Sequence, residues 1–176
     1  TYLAPFLLID LHLLMKPLNL LLTLILLSAS TISALALEVA GYAFSAPDEW
    51  KSVSPSSNMR KAQFEVSGKT GEKAEVVFFH FGSGGAGGVQ ANVDRWMKQF
   101  ESPKGKKVQT ETLEGIKVTY AQAHGTFLSG RPFGPKTPNP GFALMAAIIE
   151  GKEGSIFIKM TGPKAVSYTH LTLPTI

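Results

Sequence analysis

Apolar and polar residues alternate in short segments along most of the chain beyond residue 40, and this period of two predicts a protein built mainly from β-strands. Glycines between neighbouring segments, at 68–71, 114–115 and 151–154, favour antiparallel pairing through tight turns. The polar segment from Ser52 to Asn58 shows neither period and is expected to cross irregularly. The predicted strands are Tyr42–Phe44, Arg60–Val66, Ala74–Phe81, Val108–Leu113, Ile116–Phe127, Phe142–Ile149 and Ser155–Thr161.

One segment has helical spacing instead, and it predicts a helix over Val89–Glu101. The order of strands, helix and further strands indicates an α+β fold, with a mostly antiparallel sheet packed by one or two helices. The apolar residues that share one face of the expected helix are Val89, Val93, Trp96, Met97 and Phe100.

The strand predicted at Phe142–Ile149 is apolar on both of its sides, which is typical of a strand covered on both faces. The sequence offers one clear helix as cover. We therefore expect a C-terminal helix of about three turns, the usual helix length, to be missing from this chain. Without that helix, a sheet face of several hundred Å² is expected to stay exposed.

The N-terminal region has the pattern of a signal peptide. Met15 and Lys16 open a charged region, an apolar run extends from Leu18 to Leu27, and Ala34-Leu35-Ala36 is a small-x-small cleavage motif. We expect residues 15–36 to be removed by cleavage after Ala36, and residues 1–14 to be readthrough from upstream of the gene. The alternative is a retained anchor, for which the apolar run is short. The chain contains no cysteine, which excludes a lipid-modified N-terminus.

The C-terminal run from Val166 to Thr175 matches the translation of a transposase sequencing adaptor, codon by codon. We therefore expect residues 166–176 to be an artefact of a truncated metagenomic gene, and residues 37–165 to form a single domain. The alternative is a natural polar strand or tail. About 130 residues are enough for one hydrophobic core.

Net charge and cysteine content exclude some classes of partner and structure. The net charge of +4 is mild, and the basic cluster at Lys104–Lys107 has no aromatic platform beside it, so a solvated loop is expected there and nucleic acid is not an expected partner. The absence of cysteine excludes a disulfide framework. The signal peptide predicts export to the periplasm or beyond, with membrane contact only if the peptide is uncleaved.

Candidate chemistry is sparse, and no catalytic residue, cofactor or metal is predicted. The run Gly82–Gly87 fits G-x-G-x-x-G, but the strand before it belongs to a hairpin, so a flexible linker is favoured over a phosphate site. His80 and His124 lie in predicted strands, and a zinc site would need further ligands. Ser83 lacks the first glycine of a nucleophile elbow. The many aromatic side chains fit core packing better than a ligand platform.

The stretch from Ser129 to Gly141 is rich in proline and glycine and is too long for an ordinary hairpin connection. It predicts a long loop with Phe133 between Arg131 and Lys136. Exposed loops of this kind carry recognition, so these three residues form a possible recognition loop. The alternative is a disordered insertion.

Five segments together resemble a family of uncharacterised exported bacterial proteins, over nearly the whole of residues 37–165. In addition, an aromatic strand followed by a Pro-x-x-Trp element resembles the start of the PsbP/DcrB-like fold. That resemblance implies a sheet packed by helices and a binding or assembly role, and it supplies no catalytic residues. The five segments are Phe44–Trp50, Arg60–Val66, Val76–Gly82, Asn92–Trp96 and Phe157–Pro163.

Two functional hypotheses follow. The favoured one is an exported, non-catalytic binding or assembly-support domain whose partner is an unknown envelope protein or a small ligand. The alternative is a small envelope enzyme with an unidentified site. Convergence of His80, His124 and a carboxylate in one pocket would favour the enzyme, because catalysis needs several polar groups aimed at one point.

Overall fold

The computed structural model describes residues 36–131 and 133–169, and strands dominate this part of the chain. The strands are β1 (Ala36–Val39), β2 (Tyr42–Ser45), β3 (Trp50–Val53), β4 (Arg60–Ser67), β5 (Lys73–His80), β6 (Phe100–Leu113), β7 (Ile116–Ser129), β8 (Thr137–Gly151) and β9 (Gly154–Pro163). The helices are α1 (Val89–Met97) and α2 (Lys164–Thr169).

Seven strands form one sheet in the order β3-β4-β5-β9-β8-β7-β6, and every neighbouring pair is antiparallel. Strands β1 and β2 form a separate antiparallel hairpin. The α+β fold predicted from the sequence is therefore confirmed, and so are the three tight-turn hairpins β4–β5, β6–β7 and β8–β9. Strands β8 and β9, the last two in the chain, lie in the central part of the sheet.

Strand β8 divides the core in two, because its side chains alternate between the two faces of the sheet. Met145, Ala147 and Ile149 face the β1–β2 hairpin, together with Phe44 from that hairpin; we call this side the hairpin face. On the opposite side, which we call the helix face, α1 covers the sheet. The buried residues there are Val93, Trp96, Phe100, Ala121, Ala123, Leu144, Ala146, Ile148 and Phe157.

The prediction that both sides of the central strands are covered is correct, but the expected exposed face is not observed in the described residues. Strand β1 was missed in the sequence, and with β2 it supplies most of the cover that a longer C-terminal helix was expected to provide. The six-residue helix α2 adds Val166, which is buried against the hairpin face. On this face, Ile149 and Ile158 are each 2% exposed.

Two boundaries differ from the sequence prediction for a physical reason. Helix α1 ends at Met97, and Phe100 opens β6, although Phe100 still packs in the same cluster as Trp96. Spacing of apolar residues cannot separate these cases, because Phe100 packs in the same cluster as the helix residues although it belongs to the strand. The Lys104–Lys107 segment is also strand rather than loop. It lies in the edge strand, with one register shift just before Lys104 and another between Lys104 and Lys107, and lysines and bulges at an edge commonly block further pairing.

The proline-rich loop is shorter than expected, because β7 extends to Ser129 and β8 begins at Thr137. Pro138 is tolerated in this strand because β9 ends opposite Phe142, which leaves the start of β8 paired only with β7. Asn139 fixes the local bulge: its Nδ2 donates to the carbonyl oxygens of Phe127 and Thr137 at 3.1 and 2.8 Å. The segment expected to cross irregularly likewise begins with a strand, β3.

Residues 1–35, with the readthrough, the signal peptide and most of the cleavage motif, lie outside the described residues, as do residues 170–176 of the adaptor-like tail. The domain boundaries therefore stay predictions. None of the helices in the described part of the chain has both the length and the apolar character needed to cross a membrane.

Candidate functional site

A groove opens on the helix face, beside the area that α1 covers. Its floor is formed by outward-facing residues of β4, β5 and β9, and its far wall by the paired ends of β7 and β8. The groove has a volume of about 460 Å³, which is in the range of small-molecule sites. The apolar lining includes Val77, Phe79, Phe127 and Phe142.

Lys159 lies on the groove floor because of the alternation along β9. Ile156, Ile158 and Met160 point to the hairpin face and are buried, so the residues between them point the other way. Lys159 therefore faces the groove in the middle of the sheet, where β9 pairs with both β5 and β8.

Lys159 is half-buried, and protein groups surround its ammonium. Its Nζ donates to Oε1 of Gln99 at 2.6 Å and lies 5.3 Å from the centre of the Phe127 ring. Burial lowers the pKa of Lys159 from 10.5 to about 8. Two nearby charges have smaller effects: Glu75 raises this pKa, and Arg60 lowers it. A lysine withdrawn from water in a concave site is a recognised mark of a functional position.

The other charges that line the groove are paired with one another. Arg60 Nη1 lies 2.6 Å from Oε1 of Glu75, which also accepts from Gln63 Nε2 at 2.8 Å. Lys73 Nζ lies 2.8 Å from Oε1 of Glu65. Lys159, in contrast, has no carboxylate within ion-pair distance among the residues at 36–131 and 133–169.

The possible recognition loop predicted from the sequence lies at the tip of the β7–β8 hairpin, next to this groove. Phe133 is fully exposed there, and Lys136 Nζ donates to the carbonyl oxygen of Arg131 at 2.5 Å. Ser129 and Gly130, which lead into the tip, line the groove. The three predicted residues are thus close in the chain to the site, but they do not themselves line it.

The two histidines do not converge. His80 is paired with Ile156 at the beginning of β9, whereas His124 is paired with Ala143, which lies opposite Gly162 at the end of β9. Six residues of strand separate these positions by roughly 20 Å. His80 Nε2 donates to the carbonyl oxygen of Glu153 at 3.1 Å. No group of three or more His, Cys, Asp or Glu side chains within the described ranges is arranged to hold a metal ion.

The glycine segment between β5 and α1 is held at its end by one buried side chain. Asn92 Nδ2 donates to the carbonyl oxygens of Ala86 and Gly88, each at 2.9 Å. These carbonyls point toward the amide, and Ser83 is exposed at the start of the segment. The segment therefore serves to join β5 to α1.

Sequence reasoning missed Lys159 and Gln99, although one signal was present. Strand β9 reads as Ser-Ile-Phe-Ile-Lys-Met-Thr, with a single charge among apolar residues in a central strand. A charged residue is rarely buried unless it has a partner or a function. The groove itself has no sequence signal, because distant segments form its walls.

No protein-family model matches this chain, and no curated protein matches it. Among solved structures, the chain is similar to the solution structure of cyanobacterial PsbP (CyanoP) from Synechocystis sp. PCC 6803. The two share 14% sequence identity, with a TM-score of 0.46, over 73% of this chain and 78% of that one. The comparison thus finds the PsbP-like resemblance that the sequence indicated.

Proposed function

We propose that this protein is an exported, non-catalytic binding domain whose ligand occupies the groove on the helix face. The observation that carries the proposal is Lys159, a lysine on the floor of a groove that is partly lined by aromatic side chains and in which the neighbouring charges are already paired. Holding an ammonium that has no carboxylate partner partly out of water costs free energy. A ligand that contacts the ammonium would offset this cost.

The tip of the β7–β8 hairpin is a candidate contact surface for a partner protein, which would give the domain a role in assembly support. Phe133 is fully exposed, and in the sequence it stands between two cationic residues beside the groove rim. We propose that Arg131, Phe133 and Lys136 contact an envelope protein when the groove is presented to it. Substitutions at this tip would then weaken partner binding without lowering the free energy of unfolding.

The alternative function, a small envelope enzyme, has less support. The convergence of His80, His124 and a carboxylate that would favour it is not observed, since the two histidines occupy opposite ends of the sheet. An enzyme built on this groove would have to use Lys159 as its reactive group. Turnover of a groove ligand by the purified protein, lost on substitution of Lys159, would establish that function instead.

Blocking the groove is expected to abolish ligand binding. Thr161 lies on the groove floor, and Thr161→Trp would fill the space beside Lys159. Thr112→Trp is the matched control, because Thr112 is exposed on the edge strand β6. In a fragment screen by ligand-observed NMR, we expect hits that bind the parent and Thr112→Trp to be lost from Thr161→Trp. Hits that bind all three proteins equally, or the absence of any hit, would argue against the groove as a binding site.

Export is expected to remove the first 36 residues. When the chain is expressed from Met15 in a Gram-negative host, the periplasmic fraction should contain a protein that begins at Leu37. This start leaves three residues of β1 to pair with β2. N-terminal sequencing provides the measurement. Recovery of the uncleaved chain from the membrane fraction would instead support the retained anchor.

A further inference from the structure

The contact between Lys159 and Gln99 leaves hydrogen-bond donors unused on both side chains. An ammonium is only a donor, so the contact at 2.6 Å requires that the amide oxygen of Gln99 accepts from Lys159. This fixes the orientation of the amide. Nε2 of Gln99 and the remaining hydrogens of the Lys159 ammonium then form a pair of donors at one end of the groove, and a ligand that accepts two hydrogen bonds would match them.

The charge of the groove favours a ligand with a single negative charge. Arg60 and Glu75 neutralise each other, as do Lys73 and Glu65, which leaves the Lys159 ammonium as the excess charge among the side chains that line the groove. Glu75 is close enough to influence Lys159 and would repel a second negative charge on the ligand. A monoanion is therefore a better match than a phosphate dianion.

The apolar wall beside these donors is flat and aromatic. The rings of Phe127 and Phe142 are stacked with an interplanar angle of 6° and a centroid separation of 6.3 Å. Phe127 also lies below the Lys159 ammonium. A planar apolar body attached directly to the anion would contact these rings while the anion contacts the donors.

We propose that the groove binds a small aromatic carboxylate, with the carboxylate on Lys159 and Gln99 and the ring against Phe127 and Phe142. This inference rests on the proposed binding function and specifies the class of ligand. Ion pairing with the ligand supplies the countercharge that the fold does not provide, and binding should favour the protonated amine.

The test is a pair of nearly isosteric probes, benzoate and benzamide, titrated into isotopically labelled protein and followed by amide NMR. Benzoate is expected to shift resonances of groove residues with a Kd on the order of millimolar, which is ordinary for so small a ligand. Benzamide, which lacks the charge, should bind at least about tenfold more weakly. Equal binding of both probes in the groove would overturn the carboxylate assignment while leaving the proposed binding function intact.

Two variants locate the effect. Lys159→Met keeps the length and the apolar stem of the side chain and should lose benzoate binding by about tenfold or more. Lys152→Met, on the exposed β8–β9 turn, should bind benzoate as the parent does. Retained binding by Lys159→Met, or shifts confined to residues outside the groove, would overturn the proposal. So would the absence of any benzoate-dependent shift in the parent protein.

The pH dependence gives an independent measurement on the same samples. Benzoate binding to the parent should weaken about tenfold between pH 7 and pH 9, as the Lys159 amine loses its proton. Arg60, Glu65, Lys73 and Glu75 also line the groove, and Lys159→Met keeps all four. Residual binding by that variant should not change over this range; an equal decline in both proteins would assign the effect to another group.

Discussion

Replacing Lys159 with Met is expected to make the protein more stable, raising its free energy of unfolding at pH 7 by about 2 kcal/mol. Burial holds the pKa of Lys159 near 8, so the fold keeps a charge in an environment that opposes it. Methionine has a similar length and apolar stem and removes that cost. Urea denaturation of the two proteins provides the measurement, with Lys152→Met as the exposed-lysine control.

This gain in stability should depend on pH in a defined direction. The pKa of Lys159 in the folded protein, about 8, lies below the ordinary value of 10.5, so between these pH values the unfolded chain binds more protons than the folded one. The free energy of unfolding of the parent therefore rises with pH across this window. The advantage of Lys159→Met is complete below pH 8 and should decline toward pH 10.5. An advantage that stays constant with pH would show that it comes from packing.

A substitution that stabilises the fold and removes ligand binding identifies a residue kept for function rather than for folding. Most substitutions of a central strand residue lower stability, because they leave a cavity or an unpaired group. Lys159 is expected to behave in the opposite way, since its ammonium has no carboxylate partner within the described chain. The two measurements on one variant therefore distinguish a binding residue from a structural one.

Truncation of Phe78 is expected to have the largest effect on stability, a loss of about 3–5 kcal/mol for Phe78→Ala. Phe78 is 0% exposed on the hairpin face. Its ring makes edge contacts with Phe44 and Phe64, at centroid distances of 5.4 and 6.0 Å, and so joins the β1–β2 hairpin to the sheet. A loss of this size is a large part of the stability of a single domain.

The matched control for Phe78→Ala is Phe81→Ala, just beyond the end of the same strand. Phe81 is 41% exposed, and its truncation should cost roughly 1 kcal/mol or less. Denaturation curves for both variants should therefore differ clearly in midpoint. Equal losses would mean that the β1–β2 hairpin does not cover the sheet at Phe78.

The central part of the fold could be predicted from the sequence because its signals are local. Strands β8 and β9 are apolar on both sides, and the glycines at Gly151 and Gly154 mark the turn between them. That pattern correctly indicated an antiparallel strand pair that needs cover on both faces. Helix α1 was equally clear, apart from its end, where Phe100 satisfies both the helical spacing and the strand that follows.

The full cover over the hairpin face could not be predicted, because the short strands that supply it form through contacts with distant residues and have no pattern of their own in the sequence. Strand β1 is four residues long and follows directly on the expected cleavage motif, so it has too few residues to show a period. The strand at Trp50 is equally short. Each of these two short strands is stabilised by packing on the core cluster of the hairpin face, through Val39 and Trp50. The first part of the edge strand β6 was also missed, because its residues are polar, include several lysines and show no alternation of apolar and polar positions.

The candidate site shows the same division between local and distant signals. Alternation along β9 places Lys159 opposite Ile158 and Met160, and this could have been read from the sequence. That the side chain lies in a groove depends on Gln99 after α1 and on Phe127 at the end of β7, which are separated from it by tens of residues. Only their packing turns an unusual lysine into a candidate binding residue.

The most direct test of this account is the titration of Lys159 itself, followed by NMR of isotopically labelled lysine side chains. The Lys159 signal is assigned as the one that is missing from Lys159→Met. We expect it to titrate with a pKa of about 8 in the parent protein and to shift upward when benzoate is bound. A pKa near 10.5 that benzoate leaves unchanged would mean that the Lys159 ammonium lies in water, and it would contradict both the groove and the ligand assigned to it.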